Sequence, residues 1–379
     1  MNKFKSIFTI ALAFLFIFGF TFASVITPDK EISVTENSKL QQFPDLSLSF
    51  DFSKNIFSEL KNNSNSIKGF TESFEKYTQH QFVLRDDFRK LKSDFVFDVY
   101  MQKDNNGYFM KNGYIFKNNN LLNLKNIEAN TDRIEFYYNN LLSENNKVYL
   151  SIIPDKNYYL ADKTALRLNY DRFYDIVLSK LDFAKYIDLS DKLTLDSYYF
   201  TDTHWRQEKI INVADFLISE MGAESTADNV EILSTNKRFN GIYARQNFFE
   251  TDGDEMLYVT NSVLKDAFLF DKTENVQIPI YNFDKIDSSE PYDMFMSSAK
   301  VGLVTLERRE ATTGKELIVF RDSFGSSIGP LLLSGYDKIT FIDTRQILPA
   351  AIKNHVEFTN QDVLFLYSTT VLNDTNEFN

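Results

Sequence analysis

Cysteine is absent from all 379 residues, which removes disulfides, thiolate nucleophiles and cysteine-ligated zinc together. Histidine is nearly absent: His80, His204 and His355 are the whole supply. Three scattered imidazoles cannot build a metal cluster without carboxylate help, and no metal or cofactor is expected. Positive charge is short as well. The formal net charge is −12, with no basic run outside the extreme N-terminus. The electrostatic footprint of a nucleic-acid binder is therefore missing, and so is a basic surface for anionic lipid. Internal repeats and low-complexity linkers are absent too.

Apolar and aromatic side chains are plentiful: 43% of residues are hydrophobic and 15% aromatic, with 37 Phe and 20 Tyr against a single Trp. That pool supports a sizeable core and excludes wholesale disorder. Without a leader, about 350 residues fit one large domain, or one large and one small. The leader is the most legible segment. Lys3 and Lys5 precede an almost unbroken apolar run from Ile7 to Ile26, about the 20 residues a bilayer crossing needs. The flanking lysines set an N-in, C-out orientation. The run fits a retained anchor, or a cleaved signal peptide with Thr21-Phe22-Ala23 at its cleavage site. A buried core helix is the remaining alternative, and only that one leaves the rest of the chain inside the cytoplasm.

Residues 1–26 are thus an anchor or signal peptide, and 27–46, with Pro28 and Pro44, an extended stalk. Residues 47–125 form a helical region packed on the core. In it Phe70, Phe74, Tyr77 and Phe82, and then Phe88, Leu91 and Phe95, recur within each group every three to five residues, as a core-facing stripe does. A hairpin-like stretch follows at Tyr108–Phe116. Residues 126–379 alternate strand and helix. Strands are expected at 148–153, 186–189, 256–260, 301–306, 316–320, 338–342 and 363–367, and helices at 163–181, 210–221, 326–334 and 348–355. The regular alternation in the last third is the mark of a parallel sheet with flanking helices, an α/β fold.

Two segments can carry chemistry. Ile318-Val319-Phe320-Arg321-Asp322-Ser323-Phe324-Gly325-Ser326-Ser327 runs from an apolar strand into a helix. Its serine falls at the carboxyl end of a parallel strand, where open α/β sheets bind ligands. The amides at the following helix start would serve as an oxyanion hole, and Gly325 would let the backbone approach substrate. Alternatively Asp322 or Ser323 is only an N-cap. The other segment, Tyr198-Tyr199-Phe200-Thr201-Asp202-Thr203-His204-Trp205, sets one of three histidines beside the only tryptophan. A hydroxyl nucleophile needs a base, and the base needs a third group to orient it. Asp202 and His204 lie two apart, so in extended backbone they share a side. A structural Asp–His pair, or a metal site, gives the same spacing.

Asp202-Thr203-His204-Trp205 paired with the later Arg321-Asp322-Ser323-Phe324-Gly325 resembles the DHHW family, a relative of the alginate O-acetyltransferase group with an SGNH-hydrolase-like fold. Further matches run in order: Val34-Thr35-Glu36-Asn37 with Leu40, Phe43 and Pro44; Phe74-Glu75-Lys76-Tyr77; Gln81-Phe82; Arg85-Asp86; and Ile153-Pro154-Asp155-Lys156. Then come Gly329-Pro330-Leu331-Leu332, Ile342-Asp343-Thr344-Arg345 and Asp362-Val363-Leu364-Phe365-Leu366-Tyr367. The resemblance spans nearly the whole chain. It implies that 126–379 is a catalytic domain with Ser323 as nucleophile, His204 as its base and Asp202 as the orienting group. Asp and His precede Ser, the permuted order of this group and the reverse of ordinary SGNH esterases. Thr203 stands where the namesake motif has its first His, and Phe200 where relatives often carry a basic or polar residue.

Arg345 would stabilise charge or bind sugar, or else pair with Asp343. Tyr367 is a weaker candidate, since a strand-end tyrosine is commonly a core-edge residue. Trp205 either offers a sugar-stacking platform or packs beneath the histidine loop. His80 and His355 read as structural. The activity implied is extracytoplasmic transfer of an acetyl group to a polysaccharide hydroxyl, with a membrane-bound O-acyltransferase as acyl donor. A surface carbohydrate esterase with the same three residues is one rival. A non-catalytic glycan-binding or scaffold subunit is the other.

Overall fold

The computed structural model describes residues 2–36, 38–46, 48, 56–102, 104–160, 167–297 and 301–375. Contacts divide the chain into two units, Met1–Gln102 with Arg245–Phe249, and Lys103–Ala244 with Glu250–Asn379.

The smaller unit begins with α1, Asn2–Ile26. Its stretch Phe4–Ile26 is long and apolar enough to cross a membrane, and it is not buried by the rest of the chain. Two more helices follow, α2 at Ile56–His80 and α3 at Arg85–Asp94, the latter running on into a π-helical turn at Phe95–Val99. Leu84 makes the tight connection between α2 and α3 in left-handed backbone, at φ 60°.

Two expectations fail in this unit. Segment 27–46 is no extended stalk. Ile32–Ser33 pairs antiparallel with Ser38–Lys39. The Gln81 amide bonds both backbone groups of Lys30 and the carbonyl of Gln41, and His80 Nδ1 accepts from Gln41 N. Glu36 pairs with Arg85 and Arg89 at 2.6 and 2.9 Å. Backbone groups of Lys30 and Gln41 that a free stalk would leave to water are satisfied here by His80 and Gln81, at the end of α2. The stripe read as core-facing is the second failure, because Phe74, Leu91 and Phe95 are exposed. Part of the expected helical region, 49–55, lies outside the described residues.

The larger unit is built on an eight-stranded, mostly parallel sheet. Its strands are β1 Lys147–Ile153, β2 Lys185–Tyr186, β3 Ala267–Asp271, β4 Val276–Ile278, β5 Leu303–Arg308, β6 Glu316–Arg321, β7 Lys338–Ile342 and β8 Asp362–Ser368. The spatial order is β4-β3-β5-β7-β6-β8-β1-β2. Strands β7, β6, β8, β1 and β2 run parallel, and β5, β3 and β4 extend the sheet antiparallel.

Alternation along the central strands builds two cores. Leu317 and Val319 of β6, with Leu364 and Leu366 of β8, face one cluster. Ile318 and Phe320, with Val363, Phe365 and Tyr367, face the other. Helices cover both faces, as buried parallel strands require. Helix α4 is Leu124–Leu141, α5 Tyr170–Lys180, α6 Ile211–Glu220, α7 Gly325–Leu332 and α8 Pro349–His355. Val213, Leu217, Ile328 and Leu332 of α6 and α7 fill the first cluster, and Ile134, Phe173 and Ile352 of α4, α5 and α8 the second. The start expected for α5, at Lys163, falls outside the described residues.

The expected hairpin is present as Tyr108–Lys111 paired with Tyr114–Lys117. A long antiparallel pair, Glu231–Phe239 with Asp254–Thr260, was read from sequence only in its second half. What positions the site is the order in the middle of the sheet. From β6 the chain steps to β7 on one side, then crosses back to β8 on the other. Such a reversal opens a crevice at the carboxyl ends of the strands, where β6 delivers Ser323.

Candidate active site

Ser323 sits in a turn between β6 and α7, and Asp322 pins that turn. Asp322 is fully buried; its Oδ1 accepts from Phe324 N and its Oδ2 from Ser368 N, at the end of β8. Gly325 N and Ser326 N donate to the carbonyls of Asp322 and Ser323. Neither Asp322 nor Ser323 caps α7 through its side chain, since the cap position falls on Phe324. The engaged amides correct one expectation: Gly325 N–H is committed inside the turn and is not a free oxyanion donor. Gly325 is also buried, and a Cβ there would meet the Arg321 side chain at 2.7 Å. Close packing on Arg321, not approach to substrate, accounts for this glycine.

His204 reaches that serine from 119 positions earlier, with Nε2 2.8 Å from Ser323 Oγ. On the opposite side of the ring, Nδ1 lies 2.6 Å from Asp202 Oδ1. The backbone amides of His204 and Ile242 also donate to Asp202, at 3.1 and 2.9 Å. Burial pushes the Asp202 carboxyl up, but the imidazole and these hydrogen bonds hold it well below the usual carboxylate range. It is therefore an ionised group poised to fix a tautomer. Gly241 makes this possible, because a Cβ there would lie 2.4 Å from the Asp202 side chain.

The loop carrying Asp202 and His204 has little regular structure, and two buried charges hold it. Lys156, just beyond the end of β1, donates from Nζ to the carbonyls of Tyr199, Phe200 and Asp202 at 3.1, 3.4 and 2.6 Å. Burial drives its pKa down to about 7 against the pull of Asp202, Asp254 and Asp155. Asp254 accepts from the other side of the loop, from Phe200 N and from Thr201 N and Oγ1; burial nevertheless raises its pKa. Beneath the imidazole lies Tyr292, stacked on it at 3.8 Å with the planes 8° apart. The Tyr292 hydroxyl donates to Ser327 Oγ, which also accepts from Trp205 Nε1.

Trp205, Tyr367 and Arg345 each take the structural one of their two readings. Trp205 is wholly buried, with Nε1 also on the carbonyl of Phe324, so it packs under the histidine loop and offers no face to a sugar. Tyr367 is wholly buried too, 3.2 Å from Thr344 Oγ1, and does not line an open cleft. Arg345 makes a two-pronged pair with Asp343, at 2.9 and 2.7 Å, while the buried Arg321 approaches the same carboxylate at 3.7 Å. The ion-pair alternative for Arg345 is therefore the one realised.

Lys156, Asp254, Gly241 and Tyr292 were not assigned to the site from sequence. Lys156 ends the stretch Ile153-Pro154-Asp155-Lys156, and a lysine straight after an apolar strand is its only local signal. Tyr292 and Asp254 carry none.

No family model matches the sequence, and no curated protein does. Solved structures do resemble it. A DHHW family protein from Eubacterium siraeum aligns with a TM-score of 0.58 at 18% identity, over 72% of this chain and 94% of its own. PatB1 of Bacillus cereus, in a structure with a sulfonyl adduct, aligns at 0.56 and 17%, over 71% and 97%. The O-acetyltransferase domain of Pseudomonas putida AlgJ lies further off, at 0.43 and 11%, over 72% and 95%. At these identities the likeness is one of fold.

Proposed function

We propose that this chain is an extracytoplasmic serine O-acyltransferase that moves an acetyl group onto a polysaccharide hydroxyl. The observation that carries the reading is the unbroken hydrogen-bonded line from Asp202 through His204 to Ser323, with steps of 2.6 and 2.8 Å. The likeness in fold to a DHHW family protein and to PatB1 supports it, as does the motif resemblance across the chain. The apolar N-terminal helix fits an anchor or signal peptide and supports an extracytoplasmic site.

As Ser323 Oγ attacks the donor carbonyl, its proton passes to His204 Nε2 and an Oγ–acetyl bond forms. The donor's leaving group departs with that proton. A sugar hydroxyl then gives its proton to His204 as its oxygen bonds the acetyl carbon, and Ser323 Oγ leaves and recovers the proton. Asp202 stays ionised throughout, fixing the imidazole tautomer. A membrane-bound O-acyltransferase is the donor this reading requires.

Sulfonyl reagents capture activated nucleophiles, and a sulfonyl adduct is what the PatB1 structure carries. Full-length protein treated with a sulfonyl fluoride is expected to gain one adduct, on Ser323. Incubation with p-nitrophenyl acetate and an acetyl-free oligosaccharide is expected to put acetyl on the sugar. Acetate alone would make the chain a carbohydrate esterase. Oligosaccharide binding with no acyl-enzyme at all, the same in Ser323→Ala as in the parent, would leave a glycan-binding scaffold and end the proposal.

A further inference from the structure

The smaller unit exposes more apolar side chain than water tolerates cheaply. Along α3 and its π-helical extension, Leu91, Phe95 and Val99 recur every fourth residue and are 50%, 47% and 59% exposed. Phe88, one turn earlier, continues the row. The opposite side of the same helix does conventional work: Arg85 and Arg89 pair with Glu36, and Ser93 and Val96 are buried. From Leu91 to Val99 the row is exposed among the described residues.

Its upstream end touches α1. Phe20 packs against Phe82 and Phe88, with ring centroids 5.8 and 5.4 Å apart, and Val83 N donates to Ser24 Oγ. On another side, Thr21, Ser24 and Val25 of α1 line an apolar groove of about 370 Å³ together with Phe43, Phe74, Tyr77 and Phe82. Two exposed apolar surfaces therefore converge on the last turns of a helix whose Phe4–Ile26 stretch is suited to hydrocarbon and has no burial of its own.

We propose that α1 stays on the chain, and that the Phe88–Leu91–Phe95–Val99 face lies in the outer leaflet of the bilayer that α1 crosses. Two observations favour lipid over a protein partner. The face adjoins, through Phe20, a helix that is exposed over most of its length, so the medium that surrounds α1 reaches the neighbourhood of Phe88 as well. A net charge of −12 gives no electrostatic attraction to a membrane, so apolar insertion is the contact left, and it suits a zwitterionic surface. The exposed Lys90 and Lys92 fit the same setting, because lysine stems lie along an apolar boundary while their ammonium groups reach water. Removal of α1 after Ala23 would strip Phe20 from Phe82 and Phe88 and enlarge the bare surface. This inference does not rest on the acyltransferase reading.

Because the chain has no cysteine, single-cysteine variants report cleanly. Full-length Leu91→Cys, Phe95→Cys and Val99→Cys, reconstituted in phosphatidylcholine bilayers, would carry nitroxide labels. Collision rates with oxygen, which concentrates in lipid, and with a water-soluble nickel complex are then compared, with Lys237→Cys in the larger unit as the aqueous control. Oxygen is expected to dominate at all three positions and nickel at the control. Nickel dominating at 91, 95 and 99 overturns the proposal, as does suppression of both reagents, which would mean that a protein surface covers the face. Sulfonyl labelling of Ser323 in the same samples keeps the outcomes separate: its loss in the parent chain speaks against the acyltransferase and leaves the lipid contact standing.

Discussion

Lys156, Asp202, Asp254, Arg321, Asp322 and Asp343 lie within the larger unit with almost no exposure, whereas Leu91, Phe95 and Val99 of the smaller unit are about half in the open. One unit buries what water would solvate and the other exposes what water would exclude. Both patterns run against the usual preference, and both are more informative than a conventional core. A buried charge persists only where hydrogen bonds over-determine its position, so it marks a geometry under constraint. Here five of those six charges lie in or directly brace the two turns that bring His204 to Ser323. An exposed apolar row persists only where something other than water meets it, so it reports surroundings and says nothing of chemistry.

If the buried charges are there for geometry, removing one should harm turnover far more than folding. The largest effect is expected at Asp202→Asn, which keeps the shape and loses the tautomer control. Acetyl transfer should fall roughly ten-thousandfold, and at neutral pH the variant should unfold at a lower temperature because it lacks the stability the ionised carboxylate contributes there. Acid should also separate the parent from this variant. The folded pKa of Asp202 is held below its ordinary value, so the unfolded chain takes up the proton first as pH falls. Its stabilising contribution is complete above about pH 5 and drains away below about pH 4. Calorimetry from pH 3 to 7 should show that loss in the parent and not in the variant; identical curves would remove the constraint argument for this residue.

Lys156→Met ranks next. The buried carbonyls of Tyr199 and Asp202 lose their Lys156 donor, each at a cost of about 1–3 kcal/mol if water does not replace it, while the Phe200 carbonyl keeps the amide of Ile115. A loop displaced by an ångström can lower turnover about a hundredfold, and that loss is the expected result. The pH signature has the same sign as that of Asp202 but lies in a higher window. With a folded pKa lowered to about 7 against about 10.4 unfolded, the unfolded chain holds more protons between those values, so the parent gains stability as pH rises through that window. Lys156→Met should lack the rise. Tyr292→Leu should cost less, about fivefold in turnover from a stacking interaction worth about 1 kcal/mol, and Tyr292→Phe, which keeps the ring, less again.

The order of these effects follows how visible each residue was in the sequence. Alternating β6, α7, β7, α8 and β8 could be read because each is a short apolar run ended by turn chemistry. Asp202, His204 and Ser323 could be paired because two motifs carry them, and the structure brings these three together within hydrogen-bonding distance. Lys156 and Asp254 brace the loop across 46 and 53 positions respectively, and Tyr292 stacks on a ring 88 residues earlier; nothing local announces such contacts. The antiparallel half of the sheet was only partly legible, because β4 is three residues long and mostly exposed, and β3 and β4 carry little alternation. Periodicity misled in the smaller unit for a physical reason. A row at helical spacing shows that a face is apolar; it does not say whether protein or lipid will cover it.

The comparison is sharpest at its smallest expected effect. Leu364 is wholly buried in β8 between layers of the larger unit, and Leu91 is half exposed on α3. Leu364→Ala removes contacts on all sides and leaves a cavity, at a cost of about 2–5 kcal/mol. Leu91→Ala in the full chain, reconstituted in zwitterionic bilayers, removes one apolar side chain from a face the fold does not use. Unfolding free energy should change by no more than about 0.5 kcal/mol, while affinity for the bilayer drops by the transfer energy of the lost methylene surface. Separate measurements of the two quantities test the division between the units directly. If Leu91→Ala cost as much in unfolding as Leu364→Ala, the row would be a packed interface, and the two units would differ in nothing but how much of their core is on view.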